Sequence, residues 1–372
     1  MTEEKNTLSE TEELKTDKVP EKPEVSPTPI DSKGLKKRLI LSSISVLLLV
    51  LISSFFWKNG DSLYFEDSRL LMDTVITIKV YGIRGYFGMQ AAFKKFAEIE
   101  KKTSFYDSNS SLAQLNKTGY HKFEPNKQNR DMLSEIALGA KYLCKQTNGY
   151  FDPSFAAIHE IYGFHDKVGR LPSEDEIRQA LDKCGYDEVI SVDNSNNISL
   201  ASGSMIDFGG IAGGYATSSA KAILKAAGCK AFLIDDAGDI WFEGNKPNDT
   251  PWTVSVRDPR DGSTLAKIIS KQPLAISTSG DYERFIEVNG KRYGHIMNPK
   301  TGKPADYYDS VTVITHDPIW TDVLSTALFA MPPEEAYEWT EKNSVAALFL
   351  TKDGKIVVSE AGKSLFTDIK GK

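Results

Sequence analysis

The stretch DFGGIAGGYA, residues 207–216, places an aspartate and four glycines at the start of a helix-like run. A kinase, a dinucleotide-binding fold or another phosphate-binding turn could contain such a stretch. A kinase would also require an upstream glycine-rich loop, a strand lysine and a catalytic-loop aspartate, and none is recognisable in this sequence. A dinucleotide-binding fold requires the spacing G-x-G-x-x-G, which GGIAGG lacks.

The remaining interpretation is a strand that ends near Phe208, a tight turn at Gly209 and Gly210, and a helix over residues 211–227. The free N–H groups of a helix start suit a phosphate or diphosphate. Asp207 at the turn would suit a hydroxyl, a ring N–H or a metal ion. Alternatively, the glycines only let the helix pack closely on a sheet, without any ligand. The stretch by itself does not decide between these two readings.

Outside this stretch, helical and alternating patterns occur in turn. They predict an α+β fold, a single domain over residues 71–372 whose sheets are built largely from hairpins. Helices are expected over residues 89–101, 132–145, 173–184 and 321–330. Strands are expected in MDTVITIKVYG, AFLIDD, WTVSVRD and DSVTVIT, with hairpin turns at Asn289-Gly290 and Asp353-Gly354.

The N-terminal region differs in composition from the rest of the 372-residue chain. Residues 1–38 are mostly polar and predict a disordered cytoplasmic tail. Residues 39–57 carry no charge and predict a single transmembrane helix, followed by a linker over residues 58–70. Basic residues precede this run and acidic residues follow it, so the main domain is expected to be extracytoplasmic at the cell membrane. A cleaved signal peptide is the alternative, but ISSFFW is a poor cleavage site.

Charge content limits the classes of partner. The formal net charge is −6, from 45 basic and 51 acidic residues. Nothing in this balance favours a nucleic acid as partner, and none is expected. The composition is that of a globular protein that binds small molecules or other proteins.

Seven stretches, one of which contains the glycine stretch above, together resemble the motifs of the ApbE-type FAD:protein FMN transferases in their order. They are MDTVITI, SFYDSNSSLAQLN, TNGYFDPS, IDFGGIAGGYA, STSGDYERF, GHIMNPKTGKPA and TDVLSTALF. The resemblance implies an extracytoplasmic, magnesium-dependent enzyme that binds FAD. Such an enzyme transfers FMN to a Ser or Thr hydroxyl of an acceptor protein and releases AMP.

The resemblance also assigns a metal site. Asp322 and Thr326 are four residues apart on a predicted helix, so their oxygens lie on one face. In the family this spacing carries the magnesium ion, and a carbonyl of the glycine turn, here Gly210, supplements it. Oxygen ligands suit magnesium. The alternative is that Asp322 caps a helix and Thr326 is simply buried.

Other residues match the family's flavin-nucleotide contacts. Asp322 and His295 are the expected catalytic residues, with His295 as proton acceptor for the attacking hydroxyl, although it could also be a polar loop residue. The expected FAD contacts are Met72, Tyr106, Tyr150, Phe151, Asp152, Asp207, Gly213 and Thr278.

The sequence departs from the family pattern at three positions. Family members usually have lysine where this chain has Gly213, an aspartate near Ser218, and glycine where it has Ala237. Two hypotheses therefore stay open. The chain is an active flavinyltransferase, or it is a membrane-anchored flavin-binding protein or weak FAD pyrophosphatase in which transferase activity has faded.

Overall fold

A computed structural model of the protein describes residues 32–59, 62–124, 126, 131–164, 169–282 and 284–371, without the side chains of residues 32 and 52–59. The chain divides into two compact units, Met1–Phe56 and Trp57–Lys372. Most of the predicted tail, residues 1–31, lies outside the described residues. Residues 32–38 are helical, so the tail prediction is wrong there. In the described part of the chain, no helix combines the length and apolarity needed to cross a membrane.

The helices are α1 (Ser32–Asn59), α2 (Ile83–Thr103), α3 (Ser111–Thr118), α4 (Met132–Gln146), α5 (Ala156–Tyr162), α6 (Glu174–Leu181), α7 (Tyr186–Val189), α8 (Gly209–Ala226), α9 (Pro318–Ala330) and α10 (Pro333–Lys342). The strands are β1 (Tyr64–Leu71), β2 (Thr74–Tyr81), β3 (Tyr120–His121), β4 (Ile190–Val192), β5 (Ile198–Leu200), β6 (Ala231–Asp236), β7 (Asp239–Glu243), β8 (Trp252–Arg257), β9 (Thr264–Ser270), β10 (Leu274–Gly280), β11 (Phe285–Val288), β12 (Lys291–Gly294), β13 (Met297–Asn298), β14 (Lys303–Pro304), β15 (Tyr308–Thr315), β16 (Ala346–Thr351), β17 (Ile356–Val358) and β18 (Phe366–Thr367).

The α+β prediction is confirmed. The second unit is built on an eight-stranded sheet with the order β1-β2-β6-β7-β10-β15-β16-β17. Every neighbouring pair in this sheet is antiparallel. Hairpins form at both predicted turns, between β11 and β12 and between β16 and β17. The predicted helices and strands were found with one exception. Their ends agree within about three residues, except that α2 begins at Ile83, six residues before its predicted start.

The exception is the predicted strand before the glycine stretch. Residues 201–208 form no strand, because other partners take the backbone groups that a strand would use. The side-chain amide of Asn116 bonds both the N–H (2.9 Å) and the carbonyl (2.8 Å) of Ile206. The N–H of Asp207 donates to the carbonyl of Pro153 at 2.8 Å. The predicted turn at Gly209 and Gly210 lies within the first turn of α8, where Gly210 has non-helical dihedral angles (φ −93°, ψ 17°) and kinks the helix.

The linker prediction over residues 58–70 is wrong for its second half. Tyr64–Leu71 forms β1, which pairs with β2 along its whole length. Its sequence, YFEDSRLL, is too polar to show a buried strand pattern, because β1 lies at the edge of the sheet and alternates between exposed and half-buried positions. Pairing with β2 across a two-residue turn decides its conformation.

The sheet is covered on both faces, and alternate residues of its strands divide between them. On β10, Ala275 packs under α2 and α8, whereas Ile276 packs against the three-stranded sheet β8-β9-β18. On β16, Phe349 belongs to the core that includes α4 and α9, and Leu348 faces the small sheet. The unit therefore has three layers: helices, the large sheet and the small sheet.

Candidate active site

One cleft of about 690 Å³ brings together most of the predicted site. It lies where β2 begins and β6 and β10 end, at the turns of residues 72–73 and 237–238. Eleven of the twelve predicted site residues line it, namely Met72, Tyr106, Tyr150, Phe151, Asp152, Asp207, Gly210, Thr278, His295, Asp322 and Thr326. Gly213, on α8, is the predicted site residue that does not line the cleft.

The three predicted metal ligands lie close together. A Cβ placed on Gly210 would lie 3.6 Å from Oγ1 of Thr326, and Asp322 is one turn earlier on α9. Oδ2 of Asp322 accepts the backbone N–H of Gly214 at 2.8 Å. These oxygen donors are of the type that magnesium prefers, so the residues fit the ion. Among the described residues, no three His, Cys, Asp or Glu side chains converge as a metal site.

The glycines of α8 serve close packing as well. A Cβ on Gly214 would lie 2.7 Å from the carbonyl oxygen of Pro318 and 2.8 Å from Cα of Ile319. Glycine is therefore needed for α8 and α9 to approach each other here. The close-packing reading of the stretch is correct for Gly214, although the surface it packs against is a helix and not a sheet.

Asp207 and Asp152, two predicted FAD contacts, use their carboxylates to hold the backbone. Oδ1 of Asp207 accepts the N–H of Gly209 at 2.9 Å, at the start of α8. Oδ1 of Asp152 accepts both the N–H (2.8 Å) and the hydroxyl (2.5 Å) of Ser154, and its Oδ2 accepts the N–H of Tyr186 at 3.1 Å. Both residues line the cleft, and both also shape its walls.

The predicted aromatic contacts differ in exposure. Tyr106 is 53% exposed, so a ligand in the cleft can reach its aromatic ring. Burial, followed by the charge of Asp207, raises the pKa of Tyr106, which keeps it neutral. Tyr150 and Phe151 are buried. The hydroxyl of Tyr150 donates to Glu335 at 2.6 Å, and Phe151 packs beside Gly210.

Met72 and Thr278 lie at strand ends around the cleft. Met72 and Asp73 have φ of 53° and 60° and form the two-residue turn between β1 and β2, although neither is glycine. The N–H of Met72 donates to Oε1 of Glu100 at 2.9 Å, which holds the turn against α2. The hydroxyl of Thr278 is 2.9 Å from that of Thr312 on the neighbouring strand.

His295 is oriented by backbone carbonyls. Its Nδ1 lies 3.0 Å from the carbonyl oxygen of Arg284, so Nδ1 carries the proton and Nε2 keeps its lone pair. Its own carbonyl is 2.9 Å from Nε2 of His159. Burial, and then the charges of His159 and Arg284, lower the pKa of His295 well below its usual range. The imidazole is therefore neutral at physiological pH and can accept a hydrogen bond.

Sequence reasoning missed several cleft residues: His159, Asp236, Asp239, Arg257, Tyr282 and Arg284. Burial, then Asp239 and Asp235, raise the pKa of Asp236 to about 8. The two arginines come from different elements, at the end of β8 and before β11, and neither stretch has a phosphate-binding pattern. Asp236 and Asp239 could have been predicted from the run DDAGD, which follows an apolar strand. Acidic residues in the loop after a buried strand often belong to a functional site.

Serine hydroxyls connect β10 to α9 below the cleft. Oγ of Ser325 lies 2.9 Å from Oγ of Ser277 and 2.9 Å from Oγ of Ser279, and it donates to the carbonyl of Asp322 at 2.9 Å. Ser277 also donates to Asp239. Burial raises the pKa of Asp239 to about 6, although the Ser277 hydroxyl opposes this rise. This network holds the Asp322 turn of α9 in position against the sheet.

Comparison with known proteins gives consistent matches. The model of the ApbE family matches residues 72–349, a region that contains every predicted site residue. The chain is 30% identical to the FAD:protein FMN transferase of Klebsiella pneumoniae, over 83% of this chain and 96% of that protein. It is 28% identical to the FAD:protein FMN transferase of Treponema pallidum, over 79% and 86% respectively.

Solved structures also match. The ApbE protein of Thermotoga maritima is 30% identical and superimposes with a TM-score of 0.75, over 82% of this chain and 99% of that one. The apo form of the flavinyl transferase ApbE of Pseudomonas stutzeri is 27% identical, with a TM-score of 0.72, over 82% and 97%.

Proposed function

Because the chain belongs to the ApbE family, we propose that it is an FAD:protein FMN transferase. It transfers FMN from FAD to a Ser or Thr hydroxyl of an acceptor protein, with magnesium, and releases AMP. The observation that carries this proposal is the convergence of eleven predicted site residues on one cleft of about 690 Å³. That volume lies in the range of ligand sites in proteins.

The reaction balances as a phosphoryl-group transfer. The acceptor oxygen forms a bond to the FMN phosphorus, the bond from that phosphorus to the bridging oxygen breaks, and AMP leaves with the electron pair. Negative charge grows on the leaving phosphate, so cationic groups are needed there. Arg257 and Arg284 line the cleft and can meet this charge.

The hydroxyl proton requires an acceptor. Nε2 of His295 keeps its lone pair because Nδ1–H is donated to the carbonyl of Arg284. The lowered pKa makes this imidazole a weak base that is available over the whole physiological range. We assign His295 to orient the acceptor hydroxyl and to take its proton as the new bond forms.

Asp322, Thr326 and the carbonyl of Gly210 would hold the magnesium ion. When bound, the ion would neutralise charge on the diphosphate. The Ser325 network and the N–H of Gly214 keep the Asp322 carboxylate in one orientation. The aromatic ring of Tyr106 is placed to stack on a flavin or adenine ring.

The experiment is a flavinylation assay with the full-length chain purified in detergent. FAD, MgCl₂ and an acceptor with a known flavinylation site are added. We expect a fluorescent acceptor band on a denaturing gel, an acceptor mass increased by one FMN, and AMP in equal amount. FAD binding without AMP release and without a labelled band would contradict the proposal.

Gly213 and Ser218 support a second candidate, a flavin-binding protein or weak FAD pyrophosphatase. The resemblance implies lysine at position 213, and the glycine there supplies no cation. In this case AMP would form with free FMN and no labelled acceptor. A band that requires Gly213→Lys would also favour this candidate over the first.

We further propose that residues 39–57 anchor the chain in the cell membrane, with the catalytic domain outside the cytoplasm. The support is the uncharged sequence and the exposure of its apolar side chains in α1, such as Leu39 (58%) and Leu49 (65%). The expected result is that the chain stays with membranes after alkaline washing and that protease added outside the cell cleaves the domain. Release by alkali would contradict the anchor.

A further inference from the structure

Asp236 is a buried acidic residue that lines the cleft, and its carboxylate has no hydrogen-bond partner among the described residues. The residue is only 8% exposed. Asp235 accepts the N–H of Gly238 at 2.9 Å, Asp239 accepts the Ser277 hydroxyl, and Asp322 accepts the N–H of Gly214. Among the described residues, no hydrogen bond or ion pair is made by the carboxylate of Asp236. An ionised carboxylate that is largely buried and has no protein partner is unfavourable, and a bound cation or a proton would stabilise it.

Asp236 faces Asp322 across Gly213. The position that a Cβ of residue 213 would occupy lies 3.0 Å from Oδ2 of Asp236 and 3.5 Å from Oδ2 of Asp322. Gly213 thus leaves a space between two carboxylates, which we call the Gly213 gap. Both acidic residues also line the cleft, so the gap is reached from the side where substrate would bind.

We propose that the Gly213 gap binds a divalent cation, with Asp236 as a ligand in addition to Asp322. Magnesium in proteins is commonly held by one or two carboxylates, with water and substrate phosphates completing its coordination. Two facing carboxylates satisfy this requirement, and one divalent cation neutralises both. The glycine at 213 is what keeps this space open, because any larger side chain would begin within 3.0 Å of Asp236.

The inference rests on the proposed function only for the use of the cation in catalysis. Cation binding itself requires neither FAD nor acceptor. Flavin transfer could therefore be observed without cation binding at the Gly213 gap, and cation binding could be observed without flavin transfer.

The test uses Mn²⁺ as probe, with the full-length chain in detergent and no FAD. Free Mn²⁺ is counted by electron paramagnetic resonance, and Mg²⁺ binding is measured by calorimetry. Asp236→Asn keeps the shape of the side chain and removes its charge, and we expect it to weaken Mn²⁺ binding at least tenfold. The matched control is Asp235→Asn, one residue earlier on β6 and absent from the cleft, which should bind within twofold of the unaltered chain.

A second variant tests the gap without removing any carboxylate. Gly213→Ala inserts a methyl group between Asp236 and Asp322 and should also weaken Mn²⁺ binding, while circular dichroism shows an unchanged fold. The inference is overturned if the unaltered chain binds no Mn²⁺. It is also overturned if Asp236→Asn binds as the unaltered chain does, because Asp322, Thr326 and Gly210 would then be sufficient.

Discussion

The floor and the rim of the cleft are built in different ways. The floor consists of α8, α9 and β10, where Gly214 lets two helices approach and buried serines connect helix to sheet. The rim consists of the turns at residues 72–73 and 237–238 together with exposed side chains such as Tyr106 and Arg284. The floor is held by contacts that tolerate little change, whereas the rim offers charge and aromatic surface. Substitutions in the floor should therefore cost more than substitutions in the rim.

The largest effect is expected at Asp322. Asp322→Asn keeps an acceptor for the N–H of Gly214 but loses the charge, so flavinylation should fall at least about a hundredfold with little change in stability. Asp322→Ala also leaves that N–H without its partner and should lower the free energy of unfolding by about 1–3 kcal/mol. Flavinylation rates and denaturant unfolding measure the two effects. Unchanged turnover of Asp322→Asn in the presence of a chelator would contradict the proposed role of Asp322 as a metal ligand.

Gly214→Ala should have the next largest effect. The new methyl group would overlap the backbone of Pro318 and Ile319 and separate α8 from α9, lowering the free energy of unfolding by about 1–3 kcal/mol. Gly213→Ala, on the preceding residue of the same helix, meets only carboxylate oxygens and gains helix propensity. It should be neutral or slightly stabilising in denaturant unfolding. If both variants lost the same free energy of unfolding, the close approach of α8 and α9 would not depend specifically on Gly214.

Asp236 lies between floor and rim, and the effect of its substitution on stability should depend on pH. Its pKa is about 8 in the folded chain and near 3.8 when unfolded, so between these values the folded state holds more protons. Stability is therefore lost as pH rises from about 4 to 8. Without metal, Asp236→Asn should be close to neutral at pH 4 and stabilising by about 1 kcal/mol or more at pH 8. Melting curves in chelator across this pH range test it, and a pH-independent difference would contradict the raised pKa.

The smallest effect is expected in the rim. Ala237 has φ of 52° and Gly238 has φ of 104°, a left-handed turn that a side chain disfavours. Ala237→Gly should raise the free energy of unfolding by about 0.5 kcal/mol, since relief of strain exceeds the added entropy of the unfolded chain. Gly238→Ala should lower it by about 1 kcal/mol. Thermal unfolding of the two variants measures whether stability rises for Ala237→Gly and falls for Gly238→Ala.

Prediction from sequence succeeded where the signal is local. The alternation in β2 and the apolar face of α2 follow from the residues themselves, and eleven of the twelve residues that the motifs predicted for the site line one cleft. It failed at β1, whose polar sequence becomes a strand only by pairing with β2, and at Ile206, whose backbone groups are taken by Asn116. The arginines of the cleft were missed because they come from separate elements.

The amino-acid sequence by itself determined the family, the α+β class and the chemical types of the site residues, because these depend on residue identity and short-range order. Only the tertiary structure decided which carboxylate oxygens accept a hydrogen bond and which do not. Asp152 and Asp207 turn their carboxylates toward the backbone, while Asp236 faces a space beside Asp322. Burial and hydrogen bonding arise from contacts between residues that are far apart in the chain, and those contacts set the energy of each charge.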